Sequence, residues 1–217
     1  VGLCEKMRMP AVAVTDTNNM FAALEFSVTA KAAGVQPIVG CQLSLDYDPV
    51  QPGERPRPPA PVVLLAQSEV GYAHLMKLNS CLYLRGDGSP PHVTPDELAA
   101  HSDGLICLTG GPDGPIGRLL QAGQAAKAEA LLRRLAAAYP DRFYVELQRH
   151  PGEGGQYTEA EQATERGHVE MAYALNLPLV ATNDVYFPKP DMYEAHDALI
   201  CIAEGAYVDQ QQPRRRL

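Results

Sequence analysis

Two aspartates follow short apolar segments near opposite ends of the sequence, and they are the first candidates for chemistry. Asp16 comes just after the segment 10–14, and Asp184 comes just after the segment 179–181. Both segments are typical of buried strands, and a turn or helix pattern follows each one. The carboxyl ends of parallel strands meet at one rim of an α/β fold, so we expect the two carboxylates to share that rim.

Few other side chains could complete a metal site there. His150 follows the predicted strand 143–147, and Glu146 lies within that strand, where alternation could point it away from the rim. A hydrolytic metal cluster needs several deprotonated histidine and carboxylate ligands within a few Å. Asp16, His150 and Asp184 could therefore hold one ion at most.

The other histidines are weaker candidates. We expect four of them to be exposed to solvent: His74, His92, His101 and His168. His196 lies on the predicted last helix, where a buried histidine bonded to a carbonyl or carboxylate is commoner than a ligand. The sequence has no Gly-x-Ser-x-Gly elbow, and its cysteines lack basic neighbours, so nucleophilic catalysis is not indicated.

Composition and charge argue against a protein that binds DNA unaided, is secreted or spans a membrane. The chain has 217 residues and a net charge of -8, from 26 acidic and 18 basic residues, so its surface should repel DNA rather than bind it unaided. The odd, scattered cysteines predict buried thiols in a reducing cytoplasm. No apolar run suggests a membrane span, and no segment resembles a signal peptide.

Strand-like and helix-like segments alternate along the chain. The predicted strands are 10–14, 37–45, 61–66, 104–111, 143–147 and 178–182. Consecutive parallel strands with helical crossovers predict an α/β fold of the (β/α) barrel type, with a doubly wound sheet as the alternative. No Gly-x-Gly-x-x-Gly turn follows the first strand, which disfavours dinucleotide binding.

Two loops carry further predictions. Asn18 or Asn19 should cap the helix after the first strand, in which Phe21, Leu24, Val28 and Ala32 recur at helical spacing. The proline-rich segment 49–61 predicts a solvated loop between hairpin-like strands, with a polyproline ligand as the alternative.

Five motifs closely resemble the PHP (polymerase and histidinol phosphatase) domain of bacterial DNA polymerase III alpha subunits, proteobacterial type. They are Val-Thr-Asp at 14–16, Pro-Ile-Val-Gly-Cys at 37–41, Phe-Tyr-Val-Glu-Leu-Gln-Arg-His at 143–150, Ala-Thr-Asn-Asp-Val at 181–185, and Glu-Ala-His-Asp-Ala-Leu at 194–199. The resemblance implies a PHP-type, TIM-like barrel at residues 1–205, without its first strand, and a linker at 206–217 leading toward a polymerase core.

The departures from the family pattern fall on its metal ligands. Thr17 stands where the family has histidine, Gln42 where it has glutamate, and Tyr186 where it has histidine. Glycine, at 110 or 111, replaces a cysteine that often binds metal, and the leading His-x-His would precede the first residue. The resemblance therefore implies a degenerate metal site, of which Asp16, His150 and Asp184 are residual positions.

What the resemblance implies for function is a non-catalytic structural and interaction domain of a cytoplasmic replicative polymerase. Its expected partners are the rest of the alpha subunit and a proofreading exonuclease subunit, with DNA reached through the parent polymerase and no membrane contact. No cofactor is expected in this part, although the parent polymerase would use Mg²⁺. The alternative is a residual Zn- or Mn-dependent phosphoesterase or 3′–5′ exonuclease. We expect Asp16 to cap the next helix or to hydrogen-bond within the rim.

Overall fold

The structure, a computed structural model, describes residues 1–48, 57–86, 88–150 and 157–210. The chain divides into two units, residues 1–182 and residues 183–217. Most of the predicted proline-rich loop, and the last seven residues of the predicted linker, lie outside the described residues.

The first unit contains six described strands. They are β1 (Ala11–Val14), β2 (Gln36–Leu45), β3 (Ala60–Ala66), β4 (Leu105–Leu108), β5 (Phe143–Gln148) and β6 (Leu179–Thr182). Its helices are α1 (Gly2–Lys6), α2 (Ala23–Ala32), α3 (Glu69–Leu84), α4 (Pro95–Ala100), α5 (Pro115–Gln121), α6 (Ala125–Ala138) and α7 (Glu159–Ala174). The second unit contains α8 (Tyr193–Glu204).

The six strands form one sheet in the order of the sequence, β1-β2-β3-β4-β5-β6. This order is that of a barrel, because a doubly wound sheet reverses its strand order near the middle. The predicted α/β barrel-type architecture is therefore confirmed for the described strands, and the doubly wound alternative is wrong.

The prediction that consecutive strands are parallel is wrong for one strand. β3 runs antiparallel to both β2 and β4, whereas the pairs β1-β2, β4-β5 and β5-β6 are parallel. No helix is described between β2 and β3, and antiparallel strands need no helical crossover. The predicted hairpin-like arrangement on either side of the proline-rich segment agrees with this pairing.

Local sequence signals account for several helix starts. Ser68 caps α3 by accepting a hydrogen bond from the backbone N–H of Gly71. Capping boxes begin α4, with Thr94 and Glu97, and α7, with Thr158 and Glu161, because each pair satisfies two backbone N–H groups that the helix leaves without partners.

The core lies between the sheet and the helices that follow its strands. The leucines predicted for one face of α3 are buried, as are those predicted for α6 together with Tyr139. These residues are Leu75, Leu78, Leu82, Leu132, Leu135 and Tyr139. Cys41, Cys107 and Cys201 are also buried, and burial raises the pKa of the Cys41 thiol to about 11.

The predicted cap of α2 is wrong. The residue before the helix is Ala22, and no side chain caps the helix there. Asn19 instead accepts a hydrogen bond from the backbone N–H of Phe21, which forms a turn before the helix. The residues that α2 buries are Ala23 and Ala30, whereas Phe21 is exposed.

Within the described ranges, no helix combines the length and apolar character that crossing a bilayer requires.

The predicted exposure of His168 is also wrong. His168 lies on α7 with 2% of its surface exposed, and its Nε2 has no hydrogen-bond partner among the described residues. Burial lowers the pKa of this imidazole to about 4, and a hydrogen bond to the backbone of Thr164 offsets only part of that effect. The side chain is therefore neutral near pH 7.

Titration of His168 should make the fold sensitive to mild acid. The pKa is lower in the folded chain than the ordinary 6.5, so its stabilising contribution is complete above pH 6.5 and falls as the pH drops towards 4. The loss should approach about 3 kcal/mol. Urea denaturation of the wild type and of His168→Gln at pH 7.5 and pH 5 would measure the part of this loss that falls between those pH values, about 2 kcal/mol.

In His168→Gln the decrease between these two pH values should be clearly smaller, because glutamine does not titrate. Equal decreases in both proteins would contradict the assignment. The comparison at pH 7.5 separates any packing cost of the substitution from its effect on titration.

Candidate functional site

The segment after β1 is held against β2 by backbone and side-chain hydrogen bonds. The backbone O of Asp16 accepts from the N–H of Gln42 at 3.0 Å and from the thiol of Cys41 at 3.2 Å. Thr17 and Gln42 form an isolated parallel bridge one step further on. Thr17 and Gln42, which the sequence predicts to be degenerate ligand positions, therefore adjoin each other in the structure.

Hydrogen bonds of Asn18 with Ser44 and Tyr83 also hold this segment in place. Its side-chain amide donates to Ser44 Oγ at 2.9 Å, and its carbonyl oxygen accepts from the Ser44 N–H at 2.9 Å. Its backbone O accepts from the hydroxyl of Tyr83 at 2.8 Å. Asn18 has φ +56°, in the left-handed region that asparagine tolerates better than most residues. The turn after Asp16 is thus specified by residues that bind backbone rather than by metal ligands.

The Asp16 side chain is half-buried, and its carboxylate makes no hydrogen bond with any residue in the described ranges. It does not cap α2, whose capping position is Ala22. The expectation that Asp16 caps the next helix is therefore wrong, and its hydrogen bonds within the rim are made by its backbone O, which accepts from Gln42 and Cys41. The contacts of Asp16 are made by its backbone, because the chain after Val14 continues beside β2 as far as the bridge between Thr17 and Gln42.

The carboxyl ends of β4, β5 and β6 are joined by one buried carboxylate, Glu146. The backbone N–H of Gly110 donates to its Oε2 at 2.9 Å, and the hydroxyl of Thr182 donates to its Oε1. The side-chain amide of Gln148 donates to Oε1 at 3.2 Å. The backbone N–H of Glu146 itself donates to Thr109 Oγ1 at 2.9 Å. We call Thr109, Gly110, Glu146, Gln148 and Thr182 the rim network.

The two glycines after β4 leave no room for a cysteine side chain. A Cβ on Gly110, which has φ +79°, would lie 2.0 Å from the carbonyl O of Pro61. A Cβ on Gly111 would lie 2.7 Å from the side-chain Cδ of Gln148. The Gln148 amide therefore fills the space that a side chain at position 111 would need.

His150 is held by a carboxylate that the sequence did not single out. The Nδ1–H of His150 donates to Glu161 Oε1 at 2.7 Å, and its backbone N–H donates to the same oxygen at 2.9 Å. Burial alone would raise the pKa of Glu161, but the hydrogen bonds from His150 and Thr158 outweigh it and lower that pKa. Glu161 thus serves both the capping box of α7 and the orientation of His150.

In the second unit, Asp184 and Tyr186 are neighbours. The hydroxyl of Tyr186 donates to Asp184 Oδ2 at 3.4 Å, and Asp184 has φ +44°. The ring of His196 lies 5.3 Å from those of Tyr186 and Phe187, measured between centroids. His196 therefore packs among aromatic rings, an arrangement that neither the ligand nor the buried, hydrogen-bonded histidine hypothesis predicted.

The residues present do not fit a PHP-type metal cluster. Within the described ranges, no group of three or more histidine, cysteine, aspartate or glutamate side chains is arranged to hold an ion. Both carboxylate oxygens of Glu146 accept hydrogen bonds from protein groups. Thr17 and Gln42 have neutral side chains at positions where the resemblance predicts charged ligands. Among the described residues, His150 has the arrangement common in metal-binding histidines, because its other ring nitrogen pairs with a carboxylate.

Sequence reasoning underrated Glu146 and missed Gln148, Thr182 and Glu161. The Thr158-x-x-Glu161 spacing was a visible signal for Glu161, because it is that of a capping box. No local signal marks the contact between Glu146 and Thr182, because these residues are 36 positions apart.

Comparison with known proteins identifies relatives across the chain. A family model described as "PHP domain" matches residues 1–150. A DNA polymerase III subunit alpha of Caulobacter vibrioides is 47% identical over 214 residues, which are 98% of this chain and 18% of that protein. One of Rickettsia bellii is 37% identical over 217 residues, which are 100% of this chain and 17% of that protein.

A crystal structure of a candidate metal-dependent phosphoesterase from Bifidobacterium adolescentis has a TM-score of 0.49 and 10% identity, with 88% of this chain and 82% of that chain covered. The two polymerase relatives are much longer than this chain, which spans less than a fifth of the length of each.

Removing the Glu146 carboxylate should destabilise the fold. In Glu146→Ala the buried N–H of Gly110 loses its acceptor and a cavity forms, so the free energy of unfolding should fall by about 3 kcal/mol. The matched control is Glu129→Ala, which removes a glutamate from the exposed ion pair with Arg133 and should cost about 0.5 kcal/mol or less. Urea denaturation at pH 7.5 measures both, and equal losses would contradict a stabilising role for the rim network.

Proposed function

The chain belongs to the PHP domain family, and from this we propose that it is the amino-terminal PHP domain of a replicative DNA polymerase III alpha subunit, acting there as a structural and interaction domain without catalysis of its own. Residues 1–205 would form the domain, and residues 206–217 would lead toward the polymerase core. The polymerase relatives, 47% and 37% identical over nearly the whole chain, support this assignment.

The observation that carries the non-catalytic part of the proposal is the rim network. In a metal-dependent phosphoesterase, carboxylates at the strand ends must have oxygens available for the ion. Glu146 instead accepts hydrogen bonds from Gly110, Gln148 and Thr182, all within the protein. A buried carboxylate satisfied in this way contributes to the fold without requiring a metal.

The partners in this proposal are the remaining domains of the alpha subunit and a proofreading exonuclease subunit. DNA would be reached through the polymerase, since a net charge of -8 disfavours binding by this chain alone. Mg²⁺ would belong to the polymerase reaction. Asp16, His150 and Asp184 would be residual positions of a degenerate site, with Thr17, Gln42 and Tyr186 at the lost ligand positions.

A second candidate is a residual metal-dependent phosphoesterase or 3′–5′ exonuclease. The observation in its favour is the His150–Glu161 pair, because metal-binding histidines commonly donate their other ring nitrogen to a carboxylate. In this reading Zn²⁺ or Mn²⁺ would supply a Lewis acid, and Asp16, His150 and Asp184 would be the residues available to hold it.

Metal loading separates the two candidates. After removal of metal with a chelator, reloading with Zn²⁺ or Mn²⁺ and desalting, elemental analysis should find well under one tightly bound ion per chain, because too few anionic ligands remain. Tight binding of two or more ions would overturn the non-catalytic proposal. Chelator-sensitive release of nucleotides from DNA 3′ ends, lost in His150→Ala, would establish the second candidate.

In the full-length polypeptide, the domain should affect stability more than rate. Glu146→Ala should lower the temperature at which DNA synthesis is irreversibly lost by several degrees, because the domain unfolds earlier. The initial rate at 25 °C should change by about twofold or less, because the carboxylate contacts no reacting group. A large loss of rate at 25 °C with unchanged thermal inactivation would contradict a structural role, and Glu129→Ala is the control.

A further inference from the structure

One side of α2 and of the turn before it exposes large apolar side chains. Phe21 is 92% exposed, Leu24 is 77% exposed and Val28 is 62% exposed. Their spacing of three and four residues aligns them along one side of the helix. We call Phe21, Leu24 and Val28 the α2 stripe.

The opposite side of α2 is already packed in the first unit. Ala23 and Ala30 are buried, and these small side chains allow the helix to lie close to β2. The helix is thus apolar on two opposite sides, with the polar residues Glu25, Ser27, Thr29 and Lys31 between them. A second apolar side is typical of a helix that is covered there as well.

The stripe is held on a rigid support. The turn that carries Phe21 is closed by the hydrogen bond from its N–H to Asn19 Oδ1, and the preceding residue, Asn18, is tied to Ser44 and Tyr83. Tyr83, which is also exposed, adjoins this turn through its hydrogen bond to the backbone O of Asn18. A surface ordered before contact loses little conformational entropy when it is covered.

The size of the stripe indicates the kind of partner. Three side chains at these exposures present on the order of several hundred Å², which marks an interaction surface but is less than the roughly 800 Å² that each partner buries in a standard interface between separate proteins. A covalently linked neighbour needs less area, because its effective concentration is high. The polymerase relatives carry more than four-fifths of their length outside the part that matches this chain.

We propose that the α2 stripe is an intramolecular interface, covered by an apolar surface of the polymerase part of the same polypeptide. This inference rests on the proposed function. The three residues of the stripe carry no charge, so they cannot supply the phosphate contacts that lysine and arginine make with DNA.

Hydrogen exchange of α2 in two contexts tests this interface. Amides of residues 23–32 should exchange at least about tenfold more slowly in the full-length polypeptide than in the 217-residue chain, because the covered helix opens less often. The double variant Leu24→Gln and Val28→Gln should remove most of that difference while leaving exchange in the 217-residue chain unchanged. Val70→Gln, at a residue that is 56% exposed on α3, is the matched control and should preserve the difference.

Equal exchange of α2 in the two contexts would overturn the inference. So would self-association of the 217-residue chain that the double variant abolishes, since the occupant would then be a second copy. A full-length polypeptide without DNA polymerase activity would instead overturn the proposed function, and the exchange comparison would still report whether the stripe is covered.

Discussion

A buried carboxylate, Glu146, connects the ends of three strands, and much of the rim depends on it. An ionised side chain away from water is costly unless donors surround it, and here the donors come from the loop after β4, from β5 and from β6. Each donor is thereby fixed to the same acceptor. Gly110 has a left-handed backbone, and in this conformation its N–H donates to the carboxylate.

The same interaction explains why the rim can be ordered without a metal. In a metal centre the ion holds strand ends together through charged ligands, and removing the ligands leaves those ends without a common partner. In this chain hydrogen bonds within the protein fill that role, and the Gln148 amide takes the space beside Gly111 where a ligand side chain would project. The rim is therefore a packed part of the fold.

Much of the fold could be predicted from the sequence, because its signals are local. Strand and helix positions follow from apolar periodicity, and α4 and α7 begin at recognisable capping boxes. The predictions failed where a local pattern had two physical solutions. The spacing of Phe21, Leu24 and Val28 predicts an apolar side equally well whether the core or another domain covers it, and the periodicity of β3 is indifferent to its direction.

By itself the sequence determined the family and the order of elements, because residue type and motif order are readable without coordinates. Only the tertiary structure decided which residues meet at the rim. The contacts of Glu146 with Gly110 and Thr182 join residues 36 positions apart. His168 is buried because other parts of the fold cover it, which the apolar spacing of its own helix did not predict. Such contacts depend on how strands and helices meet in space, which no local spacing encodes.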